Sequence, residues 1–337
     1  MRAGGKIAWA ALGALIGLLP RAGLAQPAQN IVVALPSATL TFTAPFIAQD
    51  AGYYKDEGFT VSQPILVGVA STNAVINGSA EFTIGTGPVF LRAAAHGQRL
   101  LAIANLMDRP NVELVLRKDV YQELKITDGM SLAERGKLLK GLTIAIQGVG
   151  SIVHAWPRLI AARGGLDPEA DMRIAPMEPP SMLPALETKA VDGYTTSLPF
   201  TTAAVLKGVG VIIASAPLGA VPDILPFAGG LVYAKPETCR ADAEKCRRFV
   251  RALARAVALI RDKPNEALDI VRGRFKEMDP KLIDSAWAVV AQAYTKDIRP
   301  SPLIFENSEK VNVEAKLLDP KDRVTSFDGL FTDQFVP

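Results

Sequence analysis

Few side chains in this 337-residue sequence could carry chemistry. There are two His, His96 and His154, and two Cys, Cys239 and Cys246. Two imidazoles leave almost no room for a His-based metal site, and two thiols exclude a Cys₄ zinc site or a disulfide-dense scaffold. His96 precedes Gly97 at the predicted end of a helix, where an imidazole caps carbonyls. His154 falls one turn into a helix opened by Gly150-Ser151. There it either faces a ligand or holds the turn by a hydrogen bond; no nearby nucleophile marks it as a general base. Cys239 and Cys246 flank the start of a predicted helix and are either a short disulfide loop or two separate buried thiols. The sequence contains no G-x-S-x-G elbow, H-E-x-x-H, EF-hand loop or phosphate-binding P-loop. Gly148-x-Gly150 follows a strand and precedes a helix as a dinucleotide fingerprint does, but Val153 stands where its third Gly is needed, and Gly85-x-Gly87 fails in the same way at Phe90.

One device recurs instead. Hydroxyl- or Gly-rich turns open helices directly after strands at 37–43, 68–72, 85–88, 148–151 and 195–199. The first amides of a helix have no internal partner and carry partial positive charge, so such turns attract polar or anionic groups without Arg or Lys. Taken singly, each Ser or Thr is more simply an N-cap. Taken together, five such loops facing one cleft point to ligand binding. Phe42, Phe46, Phe90, Tyr194 and Phe200 stand in or beside these loops, as cleft walls or as core. Charged candidates are few: Arg109, Glu178 and Asp223.

The elements that must position these loops alternate. Short strands are expected at 31–35, 59–65, 82–84, 100–105 and 114–117, with helices at 45–50, 68–77 and 89–95. A second series follows: strands at 142–146 and 172–175, a further short strand within 192–199, and helices at about 151–163 and 181–188. Strands at 211–214 and 230–234 precede helices at 241–262, 265–275 and 280–294. Alternating β and α elements of this length predict mainly parallel sheets. The segment Asp192 to Pro199 parallels Glu81 to Pro88, so the chain divides into two related α/β lobes. Boundaries are set at 30–117 for the first part of lobe 1, 118–222 for lobe 2, and 223–337 for the return to lobe 1 with the C-terminal helices. In an α/β sheet the loops after the strands collect at one edge, which is where ligands bind.

Arg2 and Lys6 precede an apolar run at 7–19, Pro20 breaks it, and Gly23-Leu24-Ala25 supplies small residues for cleavage. This is the pattern of a signal peptide covering 1–25; a run of that length is short for a membrane span. The chain has 37 basic and 34 acidic residues. Arg2, Lys6 and Arg21 account for the whole excess, so the remainder is formally neutral. The basic helix with Arg247, Arg248, Arg251, Arg255 and Arg261 then reads as a solvated face rather than a nucleic-acid surface.

The segments APFIAQDAGYYKDEGFTV (44–61), INGSAEFTIGTGP (76–88) and LKGLTIAIQGVGSIVH (139–154) resemble extracytoplasmic solute-binding proteins of ABC importers, of the nitrate/sulfonate/taurine (NMT1/THI5-like) type. GGLDPEADMRI, ALETKAVDGY and FDGLFTDQF extend the likeness over most of the chain. The resemblance implies a type II periplasmic-binding-protein fold, with two α/β lobes joined by a two-strand hinge around an interlobe cleft. It implies a periplasmic monomer that delivers a small molecule to a permease and ATPase at the inner membrane, with no cofactor, metal or catalysis. By the same likeness Thr86-Gly87-Pro88 holds the ligand's acidic group, with Ser71-Thr72 and the Gly150-Ser151-x-x-His154 turn. Thr41 and Phe42 of the first loop, and Thr195-Thr196 of the second lobe, complete the expected set. The expected ligand is a small organic anion, a sulfonate or carboxylate, with or without an aromatic body. The alternatives are a neutral pyrimidine read by Glu178, an enzyme on the same fold, or a sensor presenting ligand to a membrane receptor.

Overall fold

The computed structural model describes Met1 and residues 28–337; the expected signal peptide lies outside the described residues. Ten strands form two five-stranded sheets. The strands are β1 (Gln29–Ala34), β2 (Phe59–Ser62), β3 (Phe82–Gly85), β4 (Leu101–Asn105) and β5 (Glu113–Arg117), followed by β6 (Thr143–Ile146), β7 (Arg173–Pro176), β8 (Gly193–Thr196), β9 (Gly210–Ser215) and β10 (Leu231–Ala234). The first sheet has the order β2-β1-β3-β10-β4 and the second β7-β6-β8-β5-β9. The two orders are equivalent, and this is the duplication that the parallel between 81–88 and 192–199 predicts.

Each sheet is parallel except for one strand. β10 runs antiparallel between β3 and β4, and β5 antiparallel between β8 and β9. Both odd strands arrive from the other lobe: the chain leaves β4 and enters the second sheet at β5, then leaves β9 and re-enters the first at β10. The crossovers, at 106–112 and 216–230, are the two connections between the lobes. This moves one expected boundary. β5 was assigned to the first lobe, but it pairs with β8 and β9, so the second lobe begins before residue 113 rather than at 118. An isolated run such as Leu114–Arg117 carries its hydrophobic pattern but not the identity of its partner strands.

Helices cover both faces of each sheet. In the first lobe one layer gathers Phe42, Phe46, Phe82 and Phe249, and the other Phe90, Tyr233 and Phe305. In the second, Trp156, Leu159 and Phe227 pack on one face and Met182, Leu186 and Tyr194 on the other. The basic helix Ala243–Asp262 buries Phe249, Leu253, Val257 and Ile260. Its arginines pair outward, Arg251 with Glu57 and Arg255 with Asp56, both at 2.8 Å, as a solvated face does. Helix Pro302–Glu314, which the sequence pattern does not mark, packs against both Gly87–Ala95 of the first lobe and Ile152–Arg163 of the second. Among the described residues no helix is long and apolar enough to cross a membrane.

Cys239 and Cys246 form a disulfide, with Cα atoms 5.6 Å apart, joining helix Pro236–Ala241 to the first turn of Ala243–Asp262. Closing so short a loop restricts the unfolded chain by at most about 2–3 kcal/mol. The double substitution Cys239→Ser/Cys246→Ser is therefore expected to lower unfolding stability by up to that amount in urea titrations, with the native fold retained by circular dichroism. A loss of global folding would show instead that the loop nucleates the lobe.

Candidate functional site

The lobes are closed on one another. The Leu40 amide donates to the Leu198 carbonyl across the cleft at 3.1 Å. A Cβ added to Gly148 would lie 3.4 Å from the Gly68 Cα, so the 68 and 148 turns meet backbone to backbone. Enclosed between them is a cavity lined from both lobes and the hinge. About 60 Å³ of it is open to the centres of water molecules.

Three helices begin at this cavity: Ala70–Asn77, Gly87–Ala95 and Ile152–Arg163. Their first-turn residues Ser71, Thr72, Val89, Ile152 and Val153 line it. None of the three N-termini has a side-chain cap. The residues at the cap positions include Thr86 and Ser151, yet their hydroxyls go elsewhere. The Ser151 hydroxyl donates to the Gly148 carbonyl at 2.7 Å, and that of Thr86 is buried with no partner. Plain N-capping therefore does not explain these hydroxyls. Of the first-turn amides, Ala70 and Gly87 donate to the Val67 and Ala228 carbonyls and Pro88 has none, so what the cavity is offered are the amides of the lining residues Ser71, Thr72, Val89, Ile152 and Val153, with the positive ends of three helix dipoles.

The hydroxyls divide by what they have left to give. Ser71 donates to the Gly68 carbonyl at 3.2 Å, so like Ser151 it offers the cavity only an acceptor. Thr72 and Tyr233 share a hydrogen bond of 2.7 Å, so one hydroxyl proton of that pair remains free to donate. Thr41 and Thr86 are buried and unpartnered, each able to donate or accept. The Thr41 loop is clamped by Tyr294, whose hydroxyl accepts from the Ala44 amide at 3.1 Å and donates to the Thr41 carbonyl at 3.4 Å. Phe42 supplies an aromatic wall. No carboxylate, imidazole, ammonium or guanidinium lines the cavity, and burial pushes the Tyr233 phenol up to about 12.

Several expected residues are placed elsewhere. Gly87 does not line the cavity: its amide donates to the Ala228 carbonyl at 2.8 Å. A Cβ there would lie 2.2 Å from the Ser308 hydroxyl, so the glycine serves the close approach of helix Pro302–Glu314. Pro88, Gly150, His154, Thr195 and Thr196 are also outside the lining. The last two are fully buried with unpartnered hydroxyls at the end of β8, and their neighbour Ser197 reaches the cavity instead. Of the aromatic candidates only Phe42 lines it. Phe46 packs on Phe275, Phe90 on Tyr233 and Phe305, and Tyr194 donates from the core to the Phe200 carbonyl. Phe200 is itself outside the lining. Arg109 donates to the Pro217 carbonyl, Asp223 pairs with Arg163 and Lys310, and Glu178 is the residue before helix Pro179–Glu187; none reaches the cavity.

Ser37 and Ser197, within the expected turns 37–43 and 195–199, also line the cavity, and residues without a sequence signal complete the site: Asn111 and Gly229 from the two crossovers, Tyr233 from β10 and Gln147. Only the hinge topology, which brings β10 beside β3, could have revealed Tyr233 and Asn111. Among the described residues no three His, Cys, Asp or Glu side chains group to hold a metal ion.

Behind the wall, Arg92 joins the lobes. Its guanidinium donates to the Gly150 carbonyl of the second lobe and, at 2.5 Å, to Asn312 of the C-terminal helix. Burial lowers its pKa to about 10, with Glu309 and Tyr233 opposing, so it is a cation at neutral pH. The Gly150 amide donates at 3.1 Å to His154 Nδ1, so this nitrogen must be unprotonated. Burial first, then Arg158 and Arg92, push the imidazole down to about 4.

In sequence, the NMT1/THI5 like family model matches residues 39–267. No curated protein matches the chain. In fold, it is similar to the ligand-binding component of an ABC-type import system from Staphylococcus aureus (14% identity, 91% of this chain and 97% of that one, TM-score 0.70). It is also similar to the alkanesulfonate-binding protein SsuA from Xanthomonas axonopodis pv. citri bound to MOPS (18%, 88% and 96%, TM-score 0.68). A third similar structure is the periplasmic nitrate-binding protein NrtA from Synechocystis PCC 6803 (15%, 92% and 87%, TM-score 0.69).

The depressed His154 pKa gives a signed expectation. Between its unfolded value near 6.5 and about 4 the unfolded chain binds the extra proton, so stability present above pH 6.5 is lost as pH falls through that window. Urea midpoints compared at pH 7 and 4.5 are expected to fall less in His154→Gln than in the parent. An equal fall in both would mean that His154 titrates normally.

Proposed function

The chain belongs to the NMT1/THI5-like family, and on that premise we propose that it is an extracytoplasmic solute-binding protein of an ABC importer. It captures a small organic anion, a sulfonate or carboxylate, between its lobes and delivers it to a membrane permease with its ATPase. The carrying observation is the convergence of three uncapped helix N-termini on one enclosed cavity that no ionised side chain lines. Such a site favours an anion by fixed dipoles and amides rather than by a counter-charge. The half-buried Arg92 behind the wall adds attraction of the same sign, offset in part by the buried Glu309 beside it.

Several points support binding rather than catalysis. The lining holds no carboxylate, thiol or imidazole to serve as nucleophile or proton-transfer group near neutral pH. Hydroxyls and amides of the kind present hold a ligand without altering it. Two of the similar solved structures are named as binders of alkanesulfonate and of nitrate. Glu178, which the pyrimidine reading required as a reader, stands outside the lining, so that reading loses its specific support.

A thermal-shift panel of short sulfonates, carboxylates, nitrate and pyrimidines tests the ligand class. An anion present at 100 times its Kd is expected to stabilise the protein by about 2.7 kcal/mol. A shift produced by neutral compounds alone overturns the anion assignment. Thr86→Asp, placing a carboxylate at an unpartnered hydroxyl among the helix ends, is expected to weaken anion binding at least about 100-fold, since like charges repel strongly in a buried site. Unchanged affinity by calorimetry would remove Thr86 from the site.

A further inference from the structure

We propose that Asn111 reads a paired hydrogen-bond donor and acceptor on the ligand, so that the captured molecule is a small anion bearing a carboxamide-like N–H/C=O edge; this rests on the anion reading above. Asn111 lies in the 106–112 crossover, is 3% exposed and lines the cavity. Neither its Nδ2 nor its Oδ1 has a hydrogen-bond partner. Since both atoms are unpaired, the conclusion does not depend on which way the amide is turned.

Asn105, at the end of β4 beside the same crossover, supplies the contrast. Its Nδ2 donates to the Phe227 carbonyl at 3.0 Å and its Oδ1 accepts from the Gly230 amide at 3.3 Å. A hinge amide with a structural task thus has both atoms satisfied, and Asn111 has neither. A buried polar atom left unpaired is costly, so its partner is expected to arrive with the ligand.

The chemistry of that partner follows from what the other groups can accept. Thr41 and Thr86 each donate or accept, and the helix amides only donate, so a bare anion satisfies all of them. It cannot satisfy Asn111. A sulfonate or carboxylate oxygen would accept from Nδ2 but leave Oδ1 buried against negative charge. A ligand N–H beside a C=O meets both atoms of the side-chain amide in one plane. The anionic group then lies at the three helix N-termini and the amide-like edge on the hinge floor.

Oxamate and pyruvate test this directly, since they differ in an NH₂ replaced by CH₃. Calorimetry of the full protein with oxamate, pyruvate, methanesulfonate and acetamide is expected to give at least about tenfold tighter binding of oxamate than of pyruvate, as expected where a site built to bond an N–H meets an analogue lacking it. Asn111→Leu is expected to abolish that preference. Without ligand the variant is expected to melt no lower than the parent, because the side-chain amide bonds no protein group; a structural asparagine would lower the melting temperature. Equal affinity for oxamate and pyruvate, a preference retained in Asn111→Leu, or no binding of any of the four overturns the assignment. If acetamide binds as tightly as oxamate and pyruvate does not, the edge-reading stands and the anion reading fails.

Discussion

The exchange of one strand between the lobes is the constraint on which the rest depends. β5 and β10 are each inserted antiparallel into the middle of the sheet opposite to the one the chain has just left. Each inserted strand is hydrogen-bonded on both sides, so neither lobe's sheet is complete without the other's crossover. The lobes are therefore joined at two crossings of the chain, and their facing loops meet through contacts such as Leu40–Leu198 and Arg92–Gly150. A cleft built this way has a floor to which Asn111, Gly229 and Tyr233 contribute and walls that carry the helix N-termini.

Charge selection in this architecture is local. The excess of basic residues over the whole chain vanishes without Arg2, Lys6 and Arg21, and Arg251 and Arg255 of Ala243–Asp262 are engaged by Glu57 and Asp56. What remains at the cleft is a set of dipoles held by the fold. Their effect grows when closure excludes water, since the same partial charges act in a lower dielectric. Leaving three helix ends uncapped carries a cost in the empty protein, and the Thr86 and Ser151 side chains stand at positions where they could have relieved it. Unfilled capping potential of this kind belongs with function, because stability alone would remove it.

How far the sequence was legible follows from the same distinction between local and tertiary signals. The alternating elements, the duplicated order and the loops at 37–43, 68–72, 85–88 and 148–151 follow from local chemistry, and Thr41, Phe42, Ser71, Thr72, Thr86 and Ser151 line the cavity. Local chemistry does not give orientation, as Gly87, Pro88 and Gly150 show: they share the right loops yet serve packing, with Gly87 fitted against Ser308. Nor does it give partners. β5 carries an ordinary apolar pattern that is equally compatible with either sheet, and Asn111 is one polar residue in a connection with no repeat or spacing to mark it. Tyr233 reads as a strand residue until β10 is placed beside β3. The aromatic candidates erred in the direction that large apolar side chains usually take, toward the core.

The Gly150 turn shows how closure is tied to the site. Its carbonyl accepts from Arg92 of the other lobe, its amide donates to His154, and its φ of +77° suits glycine. Asn312, which also receives Arg92, donates in turn to the Pro88 carbonyl at 3.1 Å and to Glu309 at 3.0 Å. One half-buried cation thus holds the helix Gly87–Ala95, the turn that opens Ile152–Arg163, and the C-terminal helix in a single arrangement. Opening the cleft must separate Arg92 from Gly150, which returns a guanidinium to water and frees the turn. The contact is consequently present only when the helix N-termini face one another, and its energy is added to the closed form alone. A ligand that bridges the same helix ends therefore shares its work with Arg92, and closure needs less from the ligand than the surface it joins would suggest.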